Sequence, residues 1–157
     1  MKTKYLLSNK CKPIGWILFS VGLVLGSYIL FVGDLDWTMK VFPLIGDDGM
    51  FAGTPAFEWS ENSIEDELAS VLLIFGGLIV AFSKMKDEDE FISKIRLESL
   101  VWATWINYVI LFIAVLFVFD MPFFNVMMVN MFTVLILFIF KFHYEVAKSK
   151  RLLAYEE

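Results

Sequence analysis

Four long apolar runs, at about 13–32, 68–83, 100–119 and 123–140, divide this chain, and all but one of its thirteen lysines and arginines lie beside the same side of them. Lys2, Lys4, Lys10 and Lys12 precede the first run. Lys84, Lys86, Lys94 and Arg96 fall between the second and third, and Lys141, Lys148, Lys150 and Arg151 follow the fourth. Only Lys40 belongs to the opposite side. Carrying a cation across a bilayer is unfavourable, so cations beside a span stay in the cytoplasm and set its orientation. The pattern predicts an all-α membrane protein of four transmembrane helices with both termini in the cytoplasm. The expected spans are about 13–32, 64–84, 99–119 and 122–142. An outer loop covers 33–62 and a helical cytoplasmic connection covers 85–98.

Length supports this partition. About 20 apolar residues cross the roughly 30 Å of hydrocarbon at 1.5 Å per helical residue. Three runs reach that length, and the second gains it from a helical turn beginning near Ser63. Apolar residues make up 59% of the chain, above the roughly half usual in soluble domains. One four-helix membrane domain uses nearly all 157 residues, which leaves no room for a soluble catalytic domain. The basic start and apolar first run imitate a signal peptide. The run is longer than a signal core and no small-residue cleavage site follows, so it is expected to remain as an anchor.

Charge separates by side. Ten carboxylates face one lysine outside, and twelve cations face eight carboxylates inside. The inner excess suits anionic lipid headgroups, though it is also what topology alone requires. Cys11 is the only cysteine, so there is no disulfide framework.

Within the first run, Gly22 and Gly26 form a GxxxG groove that admits a partner backbone. Packing inside the chain, onto Gly76 and Gly77, and homodimerisation both fit it. In the outer loop, Asp47-Asp48-Gly49 lacks the spacing of a calcium loop. Ser63 with Asp66 resembles a capping box for the second span. Asp87 or Asp89 is expected to start the connecting helix, whose Phe91, Ile92 and Ile95 make an apolar stripe. Trp102, Trp105 and Tyr108 form an anchoring belt. The short turn at Asp120-Met121-Pro122 forces spans three and four into an antiparallel hairpin, with Asp120 as cap and Pro122 in the first turn.

Polar groups within the hydrocarbon are the functional candidates. These are Asn107, Asn125 and Asn130, with Thr133 and Thr104 weaker. Counted from the inner boundary, Asn107 is level with Thr133, which predicts a hydrogen bond across the hairpin; a polar path is the alternative use of these residues. Arg96, Glu98, Lys141 and His143 are expected to converge at the inner boundary, with Glu98 and Lys141 as an ionic lock. No acid or base lies mid-span, which argues against a coupled transporter. Metal ligands and a Ser/His/Asp arrangement are not apparent, and the methionines of the fourth run suit packing better than copper. No cofactor, metal or nucleic-acid partner is expected.

The stretch Asp87-Glu-Asp-Glu-Phe-Ile-Ser-Lys-Ile-Arg-Leu-Glu-Ser99, continuing through Trp102-Ala-Thr-Trp105, Asn107-Tyr108, Asn130-Met-Phe-Thr133 and Lys141-Phe-His143, resembles a group of small, uncharacterised four-span inner-membrane proteins of Bacteroidetes-type bacteria. Trp16, Gly76-Gly77 and Ala81-Phe-Ser-Lys84 fit the same group. The resemblance implies a bacterial cytoplasmic membrane and four spans, and it brings no assigned activity. The expected function is a non-enzymatic membrane protein, an accessory or signal-relaying subunit contacting lipid and a protein partner or its own copies. The alternative is a transporter or channel for small molecules or lipid.

Overall fold

The structure, a computed structural model, describes residues 6–33, 37–42, 57, 59–85 and 89–156. The Asp47-Asp48-Gly49 turn, Asp34, Asp36, Glu58, Lys2, Lys4, Lys86, Asp87 and Glu88 lie outside the described residues. Four helices dominate: α1 (Lys12–Val32), α2 (Glu65–Phe82), α3 (Glu90–Phe117) and α4 (Met121–Glu156). α1, α3 and α4 are each long and apolar enough to cross a membrane. α2 has 18 residues, and Glu65, Asp66 and Glu67 occupy its first turn. Its apolar part is therefore shorter than the expected span 64–84, because Ser63 and Ser83 have left the helix at either end.

The expectation of an all-α chain omits one element. A two-stranded antiparallel ribbon, β1 (Thr38–Val41) with β2 (Ser60–Ser63), closes the base of the connection between α1 and α2. Ser63 pairs with Thr38 in that ladder. The N-cap of α2 is consequently Ile64, with no side-chain cap, and the Ser63 capping box does not form. The Trp37 N–H instead donates to the Glu65 carboxylate, at 3.4 Å, and the Ile64 N–H to the Trp37 carbonyl. Glu65 is buried there, at the positive end of the helix dipole. Phe42 packs against Phe57 and Trp59 on the ribbon.

Helix ends follow local chemistry. α1 stops at Gly33, whose φ of 114° is a conformation that L side chains rarely adopt. Asp89 caps α3 by accepting the Ile92 N–H at 2.9 Å, one of the two starts expected. Between α3 and α4, Asp120 takes a left-handed φ of 60° and its carbonyl accepts the Phe123 N–H. Aspartate is among the few residues that tolerate that conformation. Pro122 sits in the first turn of α4, where its missing N–H costs nothing.

Packing orders the helices α1–α2–α4–α3, with α2 touching both α1 and α4. α1 and α2 are antiparallel and approach backbone to backbone. A Cβ on Gly22 would lie 2.7 Å from the Leu73 nitrogen, and one on Gly15 would lie 2.6 Å from Ile79 Cγ2. One on Gly76 would collide with the Phe19 backbone, and one on Gly77 with the Leu135 side chain. Gly15, Phe19 and Gly22 thus face Ile79–Val80, Gly76 and Leu72–Leu73 in turn. Gly26 is looser, with Leu73 Cδ1 at 3.7 Å. The fully enclosed side chains Phe138, Ile139, Phe142 and Val80 lie toward the end of the bundle that carries the cations. At that end Leu7 bridges to Ser83: the Leu7 N–H donates to the Phe82 carbonyl and the Lys84 N–H to the Leu7 carbonyl, both at 2.9 Å. This short parallel bridge straps the start of α1 across the end of α2.

Candidate functional site

The antiparallel hairpins bring the chain's polar side chains to two levels. The first is within the α3–α4 pair. Asn107 Nδ2 donates to Asn130 Oδ1 at 3.4 Å and Asn130 Nδ2 donates to Asn107 Oδ1 at 3.2 Å. Asn107 is buried and Asn130 half-buried. The expected Asn107–Thr133 bond does not form; the partner lies one turn away. Thr133 Oγ1 donates to the Val129 carbonyl of its own helix, as Thr104 does to Leu100. A hydroxyl is satisfied by the carbonyl four residues back. A carboxamide both donates and accepts, so a second carboxamide is its natural complement. Asn125 is exposed on α4 and does not join the other two.

The second level is the cation-rich end, where Arg96 and His143 lie against Phe142, Ser83 lies against Arg96, and Ser99 is buried one turn along α3 from Arg96. Arg96 is 8% exposed. Its Nη2 donates to the Ser83 carbonyl at 3.4 Å and its guanidinium lies 5.0 Å from the centre of the Phe142 ring, within cation–π reach. Asp89 starts α3 at a point that turns Ile92, Ile95, Arg96, Ser99, Ala103 and Asn107 onto one buried face. Ser83 follows the last turn of α2, with its hydroxyl returned to the Ile79 carbonyl. His143 contacts Ile139 through Nδ1 and packs edge-on to both Phe142 and Trp16 of α1. Ser99 Oγ and His143 Nε2 are enclosed with no hydrogen-bond partner among the described residues.

Of the four residues expected at this boundary, the structure therefore brings Arg96 and His143 together and not the other two. Lys141 pairs with Glu145 at 2.6 Å and lies over the Trp102 ring, while Glu98 pairs with Lys94 at 3.9 Å on the exposed side of α3. The Glu98–Lys141 lock is thus replaced by two pairs within single helices. Partners four residues apart on one helix are always within reach, whereas a cross-helix pair depends on both faces turning inward. Ser83, Ser99 and Trp16 were not anticipated as members of the cluster. The small residues Ser99 and Ala103, four apart on the face of Ile92 and Ile95, are the one sequence sign that α3 is closely packed there.

Gly22 and Gly76 belong to the α1–α2 contact and Gly77 to the α2–α4 contact, while Gly26 stands at its margin. An apolar groove of about 480 Å³ runs along α1, lined among the described residues by Ser20, Val21, Val24, Leu25 and Tyr28. It touches none of the three asparagines. Among the described residues no group of three His, Cys, Asp or Glu is placed to hold a metal ion. Compared with protein-family models, with curated proteins and with solved structures, the chain matches none.

Proposed function

We propose that the chain crosses a bacterial cytoplasmic membrane four times, with both termini inside, and serves there as a non-enzymatic accessory or signal-relaying subunit that binds a partner protein. The cation-rich end then faces the cytoplasm by the retention of lysine and arginine. α2 supplies the fourth span, with Glu65, Asp66 and Glu67 at the outer surface. The apolar part that remains, residues 68–82, extends about 22 Å at 1.5 Å each. That is shorter than the roughly 30 Å of hydrocarbon, so the bilayer thins around it or its flanking residues reach outward. The bacterial assignment rests on the resemblance carried by the segment around Glu90–His143.

One observation carries the partner reading. α3 begins at Glu90 and α4 runs to Glu156, so the pair extends past the membrane on the cation-rich side. At 28 and 36 residues they measure about 42 and 54 Å. Phe91, Leu97 and Tyr144 are all more than half exposed on this projection, beside Lys94 and Glu98. Aromatic residues on an accessible helical surface are the usual anchors of protein interfaces.

The test is purification of the tagged protein from its native membrane in mild detergent, with identification of co-eluting chains by mass spectrometry. A stoichiometric partner that is lost on Phe91→Asp supports the proposal. A homo-oligomer carrying only lipid overturns it. A second reading, lipid handling, draws on the open apolar face of α1 at Val21, Val24, Leu25 and Tyr28, which is shallower than an enclosed ligand cleft. The small-molecule channel variant loses ground, since Asn107 and Asn130 bond to each other and Asn125 lies apart from them.

A further inference from the structure

His143, the chain's only histidine, stands where α4 meets α1. Its ring lies 5.2 Å from Trp16, edge to face, while farther along the two helices come together over Gly77, where Phe19 of α1 and Leu135 of α4 both lie. A carbonyl oxygen can only accept, so the 2.9 Å contact between Nδ1 and the Ile139 oxygen assigns the ring proton to Nδ1. The neutral ring then carries its lone pair on Nε2, which is enclosed and has no hydrogen-bond partner among the described residues. Among the described residues the charged groups bearing on the ring are Lys12 of α1, whose Nζ contacts Met85 Sδ, and Arg96 of α3. On α4 itself Lys141 is held by Glu145, and α2 carries no ionisable side chain between Leu68 and Ser83.

We propose that His143 is a proton-operated latch between the two helical hairpins. Neutral, it holds the cation-rich end of α1 against α4 through Trp16. A proton added at Nε2 creates an N–H donor with no acceptor among the described residues, on an enclosed ring. A buried charge without a partner is strongly disfavoured, so the imidazolium leaves this seat for the headgroup layer, where water and phosphate oxygens accept its proton. The ring contact with Trp16 breaks, and the ends of α1 and α4 separate. Each hairpin survives the move, because α1 stays on α2 through Gly15, Gly22 and Gly76 while α4 stays on α3 through Asn107 and Asn130. The hairpins stay joined where α2 packs on α4, at Gly77 with Leu135 and Phe82 with Phe138. This contact is the hinge, so only the ends of α1 and α4 part. The 3.4 Å Arg96–Ser83 contact is long for a hydrogen bond and opposes that parting weakly. The latch requires neither a partner nor a particular membrane orientation, so it stands or fails apart from the accessory-subunit proposal.

The experiment uses the full chain in lipid nanodiscs, purified with a tag that contains no histidine. Spin labels are placed at the exposed positions Lys10→Cys and Lys148→Cys in a Cys11→Ser background, and pulsed EPR measures the distance between the ends of α1 and α4. Nitrogen NMR of the single histidine reports its protonation in the same samples. From about pH 8 to about pH 5, where histidine ordinarily changes charge, the distance distribution lengthens and broadens in step with the NMR signal. His143→Phe keeps an aromatic ring on Trp16 but cannot gain a proton, and stays short throughout. His143→Lys stays long throughout. The same lengthening in His143→Phe overturns the latch. So does an unchanged distance while the NMR signal shows imidazolium, or a ring that stays neutral over the whole range.

Discussion

The two hairpins of this protein are held together in different ways. α1 and α2 meet through missing side chains: Gly15, Gly22 and Gly76 let the backbones touch. α3 and α4 meet through large and polar side chains, with the paired amides of Asn107 and Asn130, Arg96 over Phe142 and Lys141 over Trp102. In hydrocarbon no hydrophobic drive pushes one helix against another, so close packing and interhelical hydrogen bonds must do so. Each hairpin relies mainly on one of these. The lesson is that the first hairpin cannot accept added volume, whereas the second cannot accept loss of a polar partner.

The largest effect should come from Gly76→Leu. Its Cβ meets the Phe19 backbone, which cannot turn away as a side chain can. Overpacking ordinarily costs about 1–3 kcal/mol, and the α1–α2 pair should lose at least that in thermal unfolding in detergent. A midpoint equal to wild type would remove the backbone-contact account. Gly22→Ala and Gly26→Ala sharpen it: the first should destabilise, while the second should be neutral or gain up to about 1 kcal/mol from helix propensity. Equal behaviour at the two positions would mean that the GxxxG spacing, and not the contact at Gly22, governs the packing.

The α3–α4 hairpin should respond next. Asn107→Leu strands the Asn130 amide, with an expected cost of about 1 kcal/mol, and a double-mutant cycle with Asn130→Leu should give coupling near 0.6 kcal/mol, the average for such bonds in membranes. The cycle of Asn107 with Thr133 should give no coupling, and a positive value there would restore the register read from depth alone. Smallest of all should be Glu98→Lys. Its pair with Lys94 is exposed on both sides, where ion pairs contribute less than about 1 kcal/mol. A midpoint shift of several degrees would show that Glu98 does reach across to Lys141.

Much of this architecture was legible in the residues, for stated reasons. The lengths of the apolar runs led to an expectation of four spans, of which α1, α3 and α4 are long and apolar enough to cross a membrane. Asp89, one of two starts expected for α3, and Pro122 marked helix starts through their own chemistry. Gly76 and Gly77 were read as the surface onto which the Gly22–Gly26 groove packs; Gly76 does meet α1, at Phe19, while Gly22 meets Leu72–Leu73 and Gly77 meets Leu135 of α4. The β1–β2 ribbon was not legible: Ser60-Glu61-Asn62-Ser63 has weak strand propensity, and only its partner Thr38–Val41 holds it extended. Glu65 accepts the Trp37 N–H, a contact that exists only because the ribbon places Trp37 there.

By itself the sequence determined which segments are helical and which end of each is basic, because apolar run length and charge placement act locally. Only the tertiary structure decided the pairings across helices. Depth counting placed Asn107 beside Thr133, whereas a shift of one turn in the hairpin gave it Asn130. Facing could not be counted at all: Arg96 turns inward to Ser83 and Phe142, while Glu98, two residues later, turns outward to Lys94. Helical position sets where a side chain stands along the membrane, but the rotation of each helix against its neighbours sets what it touches.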